Sequence, residues 1–209
     1  RLLVPAYIYP AGEGLKAWER LIAAADKVPI VAIVNAASGP GTQANRDLYA
    51  LFQRARRSKL TLIGYVPLSF AKRPLSAVKA DVDQWLALYP GVLDGIFFDE
   101  QPSGADGVPF VSECFAYARR RIKDARIVSN PGTACVPEYL ALPGNPIICI
   151  HENKTGIDAY QPPAWASRFG PDRVAVVLYD VPKAEAMKRS LRELSRKRAG
   201  YVYVTDSLG

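Results

Sequence analysis

Apolar residues along this chain fall into eight short, nearly continuous runs, at residues 3–9, 30–35, 60–66, 95–98, 127–130, 147–150, 174–179 and 200–205. Runs this unbroken read as strands covered on both faces, because a strand with one wet face alternates apolar with polar. Between most of them lies a segment with apolar residues at three- and four-residue spacing, at 15–25, 43–57, 76–89, 110–123 and 183–197. Val78, Val82, Trp85, Leu86 and Tyr89 show the helical period most clearly. The segments after the fifth and sixth runs, 136–142 and 163–169, have room for only one or two turns. Strands alternating with helices predict a parallel sheet layered with helices. About eight such units in a single domain, 1–209, predict an α/β fold: a compact (β/α)8 TIM-type barrel with shortened later helices. A doubly wound open sheet is the alternative. It fits less well because no GxGxxG follows the first run, and the glycines of SGPG, 38–41, come after the second, where a turn and helix start accounts for them.

Composition narrows what such a barrel does. With 209 residues, 49% of them hydrophobic and 22% charged, the chain can bury a full core. No apolar run approaches the roughly 20 residues of a membrane helix, so no membrane span is expected, and the opening RLLVPAYIYP reads as a strand rather than a signal peptide. Cys114, Cys135 and Cys149 form neither a CxxC nor a zinc-ligand pattern and are expected to be buried free thiols. The net charge of +7 comes largely from 54–59, 119–123 and 188–198, all on predicted helices or their ends, where a solvated outer face is expected. Attraction to an anionic surface or polymer is the alternative use of that charge. Nucleic acid is not an expected partner, because no aromatics are interleaved with the basic residues.

The polar residues are informative through their position. In a barrel the working face lies at the carboxyl ends of the strands. Those ends carry Tyr7 and Tyr9, Asn35, Tyr65, Asp99 and Glu100, Asn130, His151 and Glu152, Tyr179 and Asp180, and Thr205 and Asp206. Helix capping or turn closure is an equal alternative for Asn130, Asp180 and Asp206. The run GIFFDE, 95–100, ends in two adjacent carboxylates, and acid beside buried apolar surface is costly unless it is paired or hydrogen-bonded. Asp99, Glu100 and Glu152 are expected to converge over the barrel mouth. Acids among tyrosines and asparagines suit a sugar: aromatic faces stack on pyranose rings, amides bind hydroxyls, and a carboxylate pair supplies the nucleophile and general acid of glycoside hydrolysis. His151, the single histidine, cannot build a His-rich metal site, and no GxSxG elbow is present for a Ser-His-Asp hydrolase. It is expected to alternate away from Glu152 into a structural hydrogen bond.

An ordered set of motifs spans the chain: VPAYIYP (4–10), IVNAASGPG (33–41), IGYV (63–66), DGIFFDE (94–100), SNPGT (129–133), the HE pair at 151–152 and YVYVTD (201–206). In that order they resemble the signatures of the spherulin-4 family. The resemblance implies a (β/α)8 glycoside hydrolase acting inside α-1,4-linked N-acetylgalactosamine stretches of galactosaminogalactan, an exopolysaccharide of fungal biofilms. It also implies that Asp99, Glu100 and Glu152 occupy the family's acidic active-site positions, and the preference for Asp99 over Glu100 rests on it. The segment PLSFAKRP, 67–74, departs from the threonine- and tyrosine-containing version that goes with the family, and this loop is expected to alter which sugars fit.

For such a substrate the 2-acetamido group and the leaving group are cis, so an enzymic carboxylate must serve for retention. Asp99 is the expected nucleophile and Glu152 the expected general acid/base, with Glu100 orienting one of them or binding a hydroxyl. Carboxyls about 5 to 5.5 Å apart go with retention, and roughly 6.5 to 9.5 Å with inversion. Neighbouring strand residues point to opposite faces, so Asp99 and Glu100 both face inward only if the strand ends between them. Tyr7, Tyr9, Asn35, Tyr65, Asn130, Tyr179 and Asp206 are the expected substrate-binding residues. A polysaccharide is the expected partner, with no cofactor and no metal, for a monomer working outside the cell or at its surface. A carbohydrate-binding module without catalysis, or a surface-attachment protein using its basic helices, is the non-enzymatic alternative.

Overall fold

Eight parallel strands pair in sequence order and close into a barrel, β1 (Leu2–Pro5) completing the ring against β8 (Tyr201–Val204). This is the expected (β/α)8 architecture, seen in a computed structural model that describes residues 1–154 and 156–207. Residues 155, 208 and 209 of the expected 1–209 domain lie outside the described residues. The remaining strands are β2 (Ile30–Val34), β3 (Thr61–Pro67), β4 (Gly95–Asp99), β5 (Arg126–Asn130), β6 (Ile147–Asn153) and β7 (Val174–Leu178). Helices α1 (Glu13–Ala24), α2 (Arg46–Ala55), α3 (Leu75–Leu88) and α4 (Val108–Arg121) follow the first four strands. After β5 only α5 (Glu138–Ala141) forms. The β6–β7 connection holds three 3₁₀ turns, at Ile157–Ala159, Ala164–Arg168 and Pro171–Arg173, and α6 (Ala184–Arg196) follows β7.

Local chemistry sets these boundaries. Asn45 caps α2 by accepting from the backbone N–H groups of Asp47 and Leu48, both at 3.0 Å, which starts that helix later than its apolar period alone indicates. Arg119, Arg120 and Arg121 fill the last turn of α4, where cations complement the helix dipole. The first strand is shorter than expected from the run 3–9. Pro5 pairs with Ile33, the Ala6 N–H donates to the Ile33 carbonyl at 2.9 Å, and β2 ends one residue later at Val34, so 7–9 continue as a loop at the mouth.

Strand alternation divides the apolar residues into two layers. Outward residues such as Ile96, Phe98 and Ile150 pack with Trp18, Phe52, Trp85 and Phe115 from the helices, all buried; each such side chain contributes roughly 1.5–3 kcal/mol. Inward residues, among them Leu3, Ile33, Ile63, Phe97, Val128 and Cys149, fill the barrel interior. Gly95 permits the tight β4–β5 contact at the bottom of the barrel: a Cβ there would stand 1.8 Å from the carbonyl oxygen of Arg126. The three cysteines are buried and free; burial pushes the thiols of Cys114 and Cys135 up to about 12.

Candidate active site

Three neighbouring strands each end in one polar side chain aimed at the barrel axis. On β4, Phe97 faces the interior, and two residues on Asp99 does the same. On β5, Val128 faces inward, and so does Asn130. On β6 the simple rule fails. Ile147 and Cys149 face inward, so unbroken alternation would send Glu152 outward with Ile148 and Ile150. The β6–β7 register shifts between Cys149 and His151: Cys149 opposes Ala175, His151 opposes Val176 and Glu152 opposes Val177. Ala175 and Val177 are interior residues, so this bulge returns Glu152 to the inner face.

Asn130 joins the two carboxylates. Its Nδ2 donates to Asp99 Oδ1 at 2.9 Å and to Glu152 Oε2 at 2.5 Å. Its Oδ1 accepts the Gly132 N–H at 2.8 Å, which fixes the amide with its NH2 toward the acids. The Gly132 carbonyl in turn accepts the Glu152 N–H at 3.0 Å. Gly132 has φ +67, a conformation that glycine adopts without strain, so the SNPGT turn clamps both Asn130 and Glu152. The Asn130 carbonyl is held as well, by the N–H of the fully buried Gln101 at 3.0 Å. Sharing one nitrogen at these two distances holds the two bonded carboxylate oxygens no more than about 5.4 Å apart.

The two acids sit in unlike surroundings. Burial raises the pKa of Asp99, and hydrogen bonds from the Tyr65 hydroxyl, the Glu100 backbone N–H and Asn130 oppose that rise. Burial also raises Glu152, with Asn130 as its one opposing donor and the charge of Asp99 adding to the rise. The hydroxyls of Tyr7 and Tyr65 are raised by burial and by the negative charge of Asp99 and Glu152, so both stay protonated donors. Their rings meet edge to face at 5.8 Å, and Tyr65 leans on Phe97 at 5.9 Å. Tyr7, Asp99, Asn130 and Glu152 rim a cavity of about 100 Å³ whose floor includes Phe97 and Cys149.

Not every expected residue belongs to this cluster. The strand ends at Asp99, and Glu100, at φ +52, turns out of it; it is half-buried and does not line the cavity, so the expected convergence of three acids reduces to two. The charge of Glu100 still reaches Tyr65 and Asp99. Tyr179 packs against the interior cluster above β7. Tyr9 is turned away to the rim, exposed, with its hydroxyl donating to Asp47 Oδ2 at 2.7 Å. Asn35 accepts the Gly39 N–H at 2.9 Å and so serves the 38–41 turn, and Asp206 is exposed outside the cavity lining.

His151 faces outward with its ring 5.2 Å from that of Tyr160. Instead of the expected hydrogen bond, its Nε2 is buried with no partner among the described residues, and burial lowers its pKa. One further residue of the site was missed, Gly132, for which the Pro-Gly pair was a turn signal; Tyr203, like Tyr179, packs against the interior cluster without lining the cavity. Among the described residues no group of His, Cys, Asp or Glu could hold a metal ion, and no helix is long and apolar enough to cross a membrane.

One relative shares the sequence pattern, and solved structures share the barrel. Spherulin-4 of Physarum polycephalum is 32% identical over 150 residues, which cover 71% of this chain and 44% of that protein, so the chain spans less than half the length of this relative. The crystal structure of Aspergillus clavatus Sph3 in complex with GalNAc superposes over 100% of this chain and 89% of that one, with a TM-score of 0.78 at 23% identity. A second structure, PhdJ bound to a substrate intermediate, matches 98% of this chain and 65% of its own at a TM-score of 0.51 and 14% identity, a likeness of fold. The pattern of spherulation-specific family 4 runs through residues 1–208, and this chain belongs to that family.

Proposed function

We propose that this protein is a retaining glycoside hydrolase that cuts within α-1,4-linked N-acetylgalactosamine-containing exopolysaccharide, as a monomer outside the cell or at its surface. The observation that carries the reading is the Asn130 amide holding Asp99 and Glu152 from one nitrogen. An oxygen separation of no more than about 5.4 Å fits retaining pairs and falls short of inverting ones. The likeness to Sph3, whose structure holds GalNAc, supports the choice of sugar.

The unlike environments of the two acids assign their roles. Asp99 receives three hydrogen bonds that favour its anion, which suits a nucleophile. Glu152 has one such bond, and burial together with the Asp99 charge raises its pKa above the ordinary carboxylate value, which suits a general acid. The Asp99 carboxylate attacks the anomeric carbon as the Glu152 proton passes to the glycosidic oxygen, and the bond to the leaving sugar breaks. A covalent glycosyl-Asp99 ester results. Glu152, now a carboxylate, takes a proton from water, which displaces Asp99 and restores the starting anomeric configuration. Tyr65 stays bonded to Asp99 and keeps its oxygen aligned.

The test is incubation with defined α-1,4-linked N-acetylgalactosamine oligosaccharides, following products by mass spectrometry and their anomeric configuration by early NMR. Cleavage with α-configured first products is expected. Binding without cleavage would replace this reading with a carbohydrate-binding protein, and a β-configured first product would overturn retention.

A further inference from the structure

Large apolar side chains exposed on this protein gather at the mouth of the barrel. Among the described residues, Tyr7, Ile8 and Tyr9 on the β1–α1 loop and Phe70 on the β3–α3 loop account for four of six, and Phe70 is the most exposed at 55%. Scattered exposed apolar residues need no explanation, but Phe70 stands on backbone that does. Ser69, Phe70 and Ala71 have φ of 48, 54 and 65°, three left-handed residues in succession with no glycine among them. Each costs an L residue roughly 1–2 kcal/mol, so the turn persists only where its surroundings hold it.

What holds it is the acidic strand end. The Leu68 N–H donates to the Asp99 carbonyl at 2.9 Å and the Phe70 N–H to the Glu100 carbonyl at 2.7 Å. Arg73 fastens the other side, donating to the Pro67 carbonyl and to Asp81 Oδ2, both at 2.7 Å. The backbone that carries the solvent-facing Phe70 is thereby fixed to that of Glu100, one residue on from Asp99. The cavity between the acids is small, about 100 Å³, and open at the mouth, so the rest of a sugar chain must extend over the rim. Backbone pre-ordered in this way presents an aromatic side chain with less entropy left to lose on binding a sugar ring.

We infer that Phe70 and Glu100 form an outer subsite that takes one pyranose unit of the polysaccharide, its apolar face on the phenyl ring and its hydroxyls toward the Glu100 carboxylate. This rests on the hydrolase reading of Asp99 and Glu152. Phe70 is tied to β4 on the side away from β6 and Glu152, the acid that meets the leaving group, so its unit lies on the non-reducing side of the cleaved bond. The subsite gives Glu100 a binding role and the unusual 67–74 loop a purpose.

Wild type, Phe70→Gly, Phe70→Ala and Phe70→Trp should be compared on a length series of reducing-end-labelled α-1,4-linked N-acetylgalactosamine oligosaccharides. Glycine takes the left-handed backbone without strain, so folding of that variant is not at issue. The KM penalty of Phe70→Gly and Phe70→Ala is expected to grow with units on the non-reducing side, to about fivefold to tenfold, with the cleavage position moving along the oligomer and Phe70→Trp staying close to wild type. Equal kinetic constants and an unchanged cleavage position at every length, with wild type active, would overturn the subsite alone. If wild type cleaves none of the oligomers, the hydrolase reading falls and the subsite falls with it.

Discussion

The ends of β4 and β6 deliver carboxylates to the same cavity by different means. Asp99 arrives by plain alternation, in step with Phe97 below it. Glu152 is out of step with Ile147 and Cys149 and reaches the interior only because the bulge at Cys149–His151 sets two residues, Ile150 and His151, against Val176. The surroundings differ in the same way. Asp99 receives donors from three elements, whereas among the described residues Asn130 is the one side-chain donor to Glu152. The regular strand end thus carries the acid with more hydrogen-bond donors and the irregular one the acid with fewer; a bulge re-aims a side chain in a way that pairing alone does not allow.

The largest effects should come from removing either acid. Asp99→Asn and Glu152→Gln are each expected to lower kcat by about a thousandfold with the fold intact by circular dichroism. They should part on a substrate with an activated aryl leaving group: Glu152→Gln recovers most of its first-step rate because no proton is needed, and Asp99→Asn does not. Equal recovery would erase the distinction between the strand ends. Inserting one alanine between His151 and Glu152 should turn the carboxylate outward and abolish turnover as completely as Glu152→Gln, although the acid is still present.

Asn130→Ala should cost about a hundredfold, since it releases both carboxyls from their shared donor. The wild-type kcat/KM profile is expected to be a bell with both limbs above the ordinary carboxylate values, because burial raises Asp99 and Glu152. Loss of a donor to the charged forms raises both pKa values further, so the Asn130→Ala bell moves to higher pH. A profile fixed in position would show that Asn130 does not couple the pair.

The smallest effect concerns stability. A carboxyl whose pKa the fold raises costs nothing while protonated in both states, and it weakens the fold as pH rises through the raised value. Glu152→Gln removes that cost and should melt a few degrees above wild type at neutral pH, with the gap closing below about pH 4. A gap that widens on acidification would contradict the placement of Glu152.

The barrel was legible because each strand is buried on both faces, which leaves unbroken apolar runs, and each covering helix shows its own period. The acidic pair ending GIFFDE was legible too, but the choice of Asp99 over Glu100 comes only from the family resemblance; that Asp99 is in phase with an inward Phe97 shows only in the fold. The bulge was not: ICIHE contains no glycine or proline to mark it, and the β6–β7 pairing that reveals it is not local. The left-handed backbone at Glu100 and at 69–71 was hidden for the same reason, since tertiary hydrogen bonds hold those conformations on residues that do not favour them. Tyr9 and Asn35 looked like site residues by their place after strands, yet a loop and a turn use them instead.

The most direct test is to trap the first-step ester. A slow-turnover N-acetylgalactosaminyl fluoride, followed by digestion and fragmentation mass spectrometry, should place one sugar on Asp99, and Glu152→Gln should prolong its life. A label on Glu100, or turnover with no label and an inverted product, would contradict the account.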